Sequence, residues 1–329
     1  MEFDLKYMRR CIQLARCGEM GAPPNPMVGA VIVCGGKIIG EGYHRRCGEP
    51  HAEVNAIRSV RDETMLKAST IYVSLEPCSH YGKTPPCANL IIEKHIPRVV
   101  IGCKDPFAKV NGQGIRKLRE AGIEVVVGVL EKECLELNRR FITFHRQHRP
   151  WVTLKWAQSE DGFIDAERQP GEKPISFSSL FTQTLVHKMR AMCQAIMVGT
   201  RTVLLDNPTL TTRLWKGPNP LRVTIDRNGV LPESVHLKDG TVPTVIYNNG
   251  NLNQILHNLY KRGVQSLMVE GGALLLQQFI DAGLWDEARI EVAPFTLRSG
   301  VCAPKMGNAV LVEEAIYDER KILNYRREM

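Results

Sequence analysis

Three side chains in the first third of the chain have the types and spacing to hold a metal. His51 opens the run His51-Ala52-Glu53, and further on the chain reads Glu76-Pro77-Cys78, with Cys87 closing the loop that follows. One imidazole and two thiolates make three ligands for a tetrahedral zinc ion, and a site with three protein ligands keeps a fourth position for water. Bound zinc lowers the pKa of that water from about 15.7 to roughly 7, which makes hydroxide available at neutral pH. Glu53 stands two residues from a ligand, where a carboxylate can move protons. A closed structural zinc site would need a fourth protein ligand from His80, His44 or Cys47, and it would give Glu53 no task.

His-x-Glu followed by Pro-Cys-x-x-Cys is the signature of zinc nucleobase deaminases. The first half is present here, but eight residues rather than two separate Cys78 from Cys87. The intervening segment must loop out and return, with Gly82, Pro85 and Pro86 shaping the turn. Asn25, in the turn Pro23-Pro24-Asn25-Pro26 ahead of a buried strand, offers an amide donor and acceptor to a flat heterocycle, or serves only the turn. A second candidate site is the strand, glycine pair and helix around Glu270-Gly271-Gly272-Ala273. Bare glycines at a helix start let a phosphate approach backbone N–H groups, although the same pair also suits a plain turn. No Gly-x-Gly-x-x-Gly follows a strand, so the usual dinucleotide fingerprint is absent.

The elements that must position these residues follow from hydrophobic period. Asp4 caps a helix in which Leu5, Met8, Ile12 and Ala15 recur at helical spacing. Residues 30–33 form a buried strand, and Gly35-Gly36 turns it into a hairpin with 37–43. His51, after Pro50, starts a helix over 51–61 that puts Glu53 in its first turn. A strand over 70–74 delivers Cys78 beyond its C-terminal end, where open α/β sheets place their sites. Pro86 precedes a helix over 87–95, whose dipole favours a thiolate at Cys87. Strands at 99–102 and 124–127, a helix at 115–121 and one long helix over 131–144 complete an alternating α/β domain. After Pro150 the pattern restarts, with strands at 151–157, 195–199, 222–226, 244–247 and 266–270. Helices are expected at 178–192, 252–262 and 273–282, and a polar surface loop at 168–174. This gives two domains, 1–147 and 148–329.

Composition bounds the rest. Hydrophobic residues make up 43% and charged residues 24% of the 329, as in a globular protein large enough for two cores. No apolar run of membrane-spanning length occurs and residues 1–6 are neither signal nor anchor, so a cytoplasmic protein without membrane contact is expected. Ten cysteines there read as reduced thiols, with all but Cys78 and Cys87 taken as packing residues. The formal charge of +8 suits a phosphorylated small substrate or a phosphate-rich cofactor. The basic stretch 139–150 reads as a solvated helix face plus linker rather than a nucleic-acid patch. Two rivals to a small-molecule enzyme are a deaminase whose second half grips RNA and a zinc-stabilised module without activity.

Pro26-Met27-Val28-Gly29, His51-Ala52-Glu53 and the long loop ending Thr84-Pro85-Pro86-Cys87 resemble the deaminase half of the bifunctional riboflavin-biosynthesis enzymes, and the second half resembles their reductase. The resemblance spans nearly the whole chain. It implies an α/β architecture with an N-terminal cytidine-deaminase-like three-layer domain and a C-terminal dihydrofolate-reductase-like domain. It implies zinc on His51, Cys78 and Cys87, with Glu53 as catalytic proton shuttle, and NADPH in the second half. Arg190, Leu210, Arg213 and Glu270 match substrate positions. Ala157, Thr202, Asp206 and the run Gly272, Ala273, Leu274, Leu275, Leu276, Gln277 and Gln278 match NADPH positions. The implied partner is a phosphorylated pyrimidine, with no nucleic acid; a homo-oligomer is compatible with this reading. The chain departs from the family where a Trp-Ile-Ser/Thr motif is usual and Lys173-Pro174-Ile175-Ser176-Phe177-Ser178 stands, and where Asp206-Asn207-Pro208 replaces Asp-Asp-Pro.

Overall fold

The computed structural model describes residues 2–79, 85–106, 112–169 and 171–328. Its contacts divide the chain into two units, Met1–Gln147 and His148–Met329.

The first unit runs α1 (Glu2–Arg16), β1 (Gly29–Cys34), β2 (Lys37–Tyr43), α2 (Ala52–Arg58), β3 (Ser69–Leu75), α3 (Cys87–Glu93), β4 (Arg98–Cys103), α4 (Gln113–Glu120), β5 (Glu124–Val127), α5 (Glu131–Leu137) and α6 (Arg139–Gln147). Its sheet has the order β2-β1-β3-β4-β5, antiparallel around β1 and parallel from β3 to β5. Successive residues of a strand face opposite sides, and both sides are apolar here. Ile32, Ile71, Val73, Val99 and Ile101 pack against α2, α3 and α4 through Ala56, Ile91 and Leu118. Val31, Val33, Tyr72 and Val100 pack on the other side against Tyr7, Met8 and Cys11 of α1 and Cys134 of α5. A sheet apolar on both faces needs two helix layers, and the three-layer domain follows.

The single helix expected over 131–144 is two. Asn138 interrupts it, accepting from Met27 N at 2.8 Å and donating to Met27 O at 2.9 Å, and this ties the break to the turn ahead of β1.

The second unit runs β6 (Trp151–Gln158), β7 (Phe163–Asp165), α7 (Leu180–Met192), β8 (Ala195–Val198), α8 (Thr200–Asp206), β9 (Leu221–Ile225), β10 (Thr244–Tyr247), α9 (Leu252–Lys261), β11 (Ser266–Val269), α10 (Ala273–Asp281), β12 (Glu287–Val292), β13 (Val301–Cys302), β14 (Ala309–Tyr317) and β15 (Arg320–Arg327). The main sheet has the order β10-β9-β8-β11-β6-β12-β15-β14 and is parallel from β10 to β12. Val152, Leu154, Met197, Val223 and Leu267 pack against α9 and α10 through Ile255, Leu259, Leu276 and Phe279. Ile196, Val198 and Met268 face the other way, onto Val203 of α8 and Met189 of α7.

Strands β12, β14 and β15 go beyond the elements read from sequence, and the unassigned stretch after Gly199 is α8. Two further expectations fail. Arg149 is not solvated: its guanidinium is buried and meets Asp286 twice, at 2.6 and 2.7 Å. Cys17, Cys47 and Cys302 are exposed rather than packed.

Candidate functional sites

In the first unit the ends of three elements converge. His51 is the residue before α2, Cys78 follows β3, and Cys87 is the first residue of α3. His51 Nδ1 lies 3.6 Å from Cys78 Sγ and 3.3 Å from Cys87 Sγ. A tetrahedral zinc ion with ordinary Zn–N and Zn–S bonds needs these atoms about 3.5 Å apart, so the donor set fits the metal. These three are the metal-capable group found among the described residues, with all ligand atoms within 4.8 Å of one another. Cys87 N–H donates to Cys78 Sγ at 3.3 Å. The Cys78 thiol is held well below its usual range by hydrogen bonding with Cys87 and then with His51, which favours a thiolate ligand.

Glu53 lies in the first turn of α2 and is only 3% exposed. Burial pushes its carboxyl up to about 7. A carboxyl beside a metal site can both take and return a proton. His44 is not a fourth ligand, because both ring nitrogens are engaged. Nδ1 faces Pro50 O at 3.2 Å and Nε2 faces Asn25 Nδ2 at 3.0 Å, so the proton sits on Nδ1. Asn25 is thereby more than a turn former, since its amide is oriented beside the ring that packs edge-on to His51. His80 lies outside the described residues.

Sequence reasoning missed Glu76. Its buried carboxylate accepts backbone N–H bonds from Gly112 at 2.9 Å, Gly114 at 3.0 Å, and Asp105 and Ile115 at 3.3 Å. The segment carrying Cys78 is thus tied to the start of α4, where N–H groups otherwise lack partners. A side chain at Gly114 would collide with Pro77 O, so the close approach requires glycine there. The available signal was an acid placed directly before Pro-Cys.

In the second unit a cavity of about 540 Å³ opens at the C-terminal ends of β6, β8, β9 and β11. Ala157, Thr202, Asp206, Gly272, Ala273, Leu274, Leu275, Leu276 and Gln278 line it, together with Glu270. Gln277 does not, since its amide turns to Lys305 and Asp281. Gly271 has φ +133°, a conformation that suits glycine, and Thr202 Oγ1 accepts from Gly272 N at 2.9 Å, which fixes the turn ahead of α10. Asp206 meets Arg168 at 2.6 Å, and Arg168 also holds Asp165 and Glu172 O. The segment expected as a surface loop therefore carries a buried arginine.

Arg190 and Glu270 form a two-pronged pair at 2.9 and 2.6 Å, and Arg190 Nη1 also donates to Thr211 O. Leu210 is buried, and Arg213 is exposed with its guanidinium on the Thr209 hydroxyl. None of Arg190, Leu210 and Arg213 lines the cavity. Lys155 of β6 does, and sequence reasoning passed over it. Burial draws its ammonium below its ordinary value against the pull of Glu270 and Glu291. A lysine in the apolar run Val152-Thr153-Leu154-Lys155-Trp156 was the signal.

The comparisons match both halves. Residues 1–103 match the family described as the cytidine and deoxycytidylate deaminase zinc-binding region, and residues 150–304 match the RibD C-terminal domain. The fold and the donor set define a zinc-dependent deaminase joined to an NADPH-dependent reductase, cytidine-deaminase-like in its first half and dihydrofolate-reductase-like in its second. The riboflavin biosynthesis protein RibD of Aquifex aeolicus is 37% identical over 98% of this chain and 96% of its own. That of Escherichia coli K12 is 36% identical over 91% and 90%. The chain belongs to the RibD family, and is a bifunctional deaminase and reductase of riboflavin biosynthesis. A crystal structure of the Thermotoga maritima diaminohydroxyphosphoribosylaminopyrimidine deaminase/5-amino-6-(5-phosphoribosylamino)uracil reductase superposes with a TM-score of 0.89 at 35% identity, covering 99% of both chains. Acinetobacter baumannii RibD, form 1, gives 0.89 at 31%, covering 100% of this chain and 99% of that one.

Proposed function

We propose that the first unit hydrolyses the 2-amino group of 2,5-diamino-6-(5-phosphoribosylamino)pyrimidin-4(3H)-one, and that the second reduces the ribosyl group of 5-amino-6-(5-phosphoribosylamino)uracil to ribityl. The observation that carries this reading is the placement of one imidazole nitrogen within 3.6 Å of two thiol sulfurs, with a buried carboxyl in the adjacent helical turn. Zinc, when bound, supplies a Lewis acid that lowers the pKa of water. His51, Cys78 and Cys87 hold it. Glu53 takes the proton that the attacking water loses and returns it to the amino nitrogen that leaves as ammonia.

NADPH supplies the hydride. Lys155, within β6, and Glu270, just past the end of the adjacent β11, both line the cavity, and in this reading they serve the ribosyl carbon that is reduced. Lys155 Nζ holds the proton that balances the arriving hydride, and its lowered proton affinity makes it a better donor. The cofactor's phosphates have Arg201 and Arg227, cavity residues without an ion pair among the described residues. Asp226, also at the cavity, accepts from Val230 N and Leu231 N, which fixes the turn after β9. Arg190 and Arg213 serve the substrate, Arg190 by orienting Glu270 and Arg213 by its charge toward the phosphate. No helix among the described residues is long and apolar enough to cross a membrane. The free thiols support a reducing compartment, the cytoplasm.

The test is one assay with two readouts, ammonia release and loss of NADPH absorbance on adding the diaminopyrimidine nucleotide. Both are expected, with ammonia first. Absence of ammonia overturns the first half of the reading, and ammonia without NADPH oxidation overturns the second.

A further inference from the structure

We infer that His187 is a positioning residue of the reductase, a neutral imidazole that fixes the segment 209–213 and so sets where Arg213 projects. The inference rests on the reading above that this segment serves the phosphorylated substrate.

The segment needs external support. Asn207 and Leu210 sit at φ 39° and 52°, a left-handed conformation that a bulky leucine rarely adopts and that persists only where the surroundings hold it. Leu210 is anchored below by Val203, Leu231, Val235, Leu237 and Met268. Its backbone neighbours are anchored from the side. Arg190 Nη1 donates to Thr211 O at 3.1 Å, Thr212 N–H donates to Asn219 Oδ1 at 2.8 Å, and Arg213 N–H donates to His187 Nδ1 at 2.9 Å.

His187 and Arg190 lie one helical turn apart on α7, so one face of that helix holds both Thr211 O and Arg213 N–H. The bond from Arg213 has a chemical requirement. An N–H donor needs a lone pair on Nδ1, which an imidazolium lacks, so the ring must be neutral with its proton on Nε2. The surroundings enforce that state: the ring is buried, and the Arg190 and Arg213 charges repel an added proton. The Arg213 guanidinium then reaches the Thr209 and Thr211 hydroxyls of the same segment. Its cation is placed by a backbone bond to a residue that need not touch the substrate.

The test uses the full-length enzyme and the phosphoribosylaminouracil substrate. Reductase KM and kcat, the Kd for NADPH by fluorescence titration, and deaminase turnover are compared among wild type, Arg213→Ala, His187→Ala, His187→Gln and His187→Asn. Loss of one bond to a buried partner is expected to raise the substrate KM of His187→Ala about tenfold, with kcat, NADPH Kd and deamination within about twofold of wild type. Asparagine places its amide oxygen where Nδ1 stands, so His187→Asn is expected to restore most of the affinity. Glutamine places it beyond reach and should behave as alanine does, which covers the case of an alanine variant that fails to fold. A KM unchanged in both His187→Ala and His187→Gln, or asparagine no better than glutamine, while Arg213→Ala raises KM, overturns the inference alone. An unchanged KM in Arg213→Ala overturns the underlying reading of the substrate site as well.

Discussion

Glu53 owes its assigned role to being a carboxyl, and the amide of Glu53→Gln keeps the shape while removing the exchangeable proton. Deaminase kcat is expected to fall by roughly 10²- to 10⁴-fold, with zinc content by metal analysis and NADPH-dependent reduction unchanged. Turnover near wild type would remove Glu53 from the chemistry. His187 gives a second prediction, through pH. Burial draws its imidazole down to about 4, below the value near 6.5 of an unfolded chain. The unfolded state therefore binds more protons between those values. The contribution is fully present above about 6.5 and is lost as pH falls toward 4. All four tryptophans, Trp151, Trp156, Trp215 and Trp285, lie in the second unit, so their fluorescence follows that unit in urea. The drop in urea midpoint from pH 7 to pH 5 should be larger in wild type than in His187→Asn; equal drops would exclude the histidine as the source. The His51, Cys78 and Cys87 cluster, with Glu53 in the adjacent helical turn, was legible in the sequence because residue types at short, fixed intervals mark it. His187 and the Arg168–Asp206 pair were not, since what matters about each is a neighbour far away along the chain, as with the 38 residues that separate Arg168 from Asp206.

At the scale of elements, the metal centre depends on how β3 hands over to the loop bearing Cys78, and Glu76 governs that junction by drawing the start of α4 onto it. Four N–H donors converge on an acceptor-only carboxylate. In Glu76→Gln one acceptor becomes an NH₂ group facing N–H donors, and a buried mismatch of that kind costs on the order of 1–3 kcal/mol. The variant is expected to lose zinc to a competing chelator faster than wild type and to deaminate more slowly. In the cobalt-substituted form its absorption bands should shift as the Cys78 ligand moves. An unaltered cobalt spectrum would reduce Glu76 to a residue of general stability. The strands and helices of the first unit were readable because apolar period reports burial directly. That signal is silent about side-chain bonds that break an element, as Asn138 does between α5 and α6. It is weak where a strand has little to bury, as in β14, where Val310, Leu311, Val312 and Ile316 are exposed.

For the molecule as a whole, the groups assigned to the two reactions fall in separate units with separate apolar cores. His51, Glu53, Cys78 and Cys87 belong to Met1–Gln147; Lys155, Arg190, Arg213 and Glu270 belong to His148–Met329. The family match runs the length of the chain, yet neither site borrows an assigned residue from the other unit. Metal removal should therefore separate the activities. Treatment with a zinc chelator is expected to abolish ammonia release from the diaminopyrimidine nucleotide while reduction of the phosphoribosylaminouracil by NADPH continues at its original rate. Adding zinc back should restore deamination. The first unit buries two apolar clusters of its own, so its fold does not rest on the metal in the way a small zinc module's does. Tryptophan emission, confined to the second unit, should stay unchanged throughout the treatment. Loss of reductase activity in step with zinc, and its return with zinc, would show that the cofactor cavity depends on the metal centre and that the two units do not work independently.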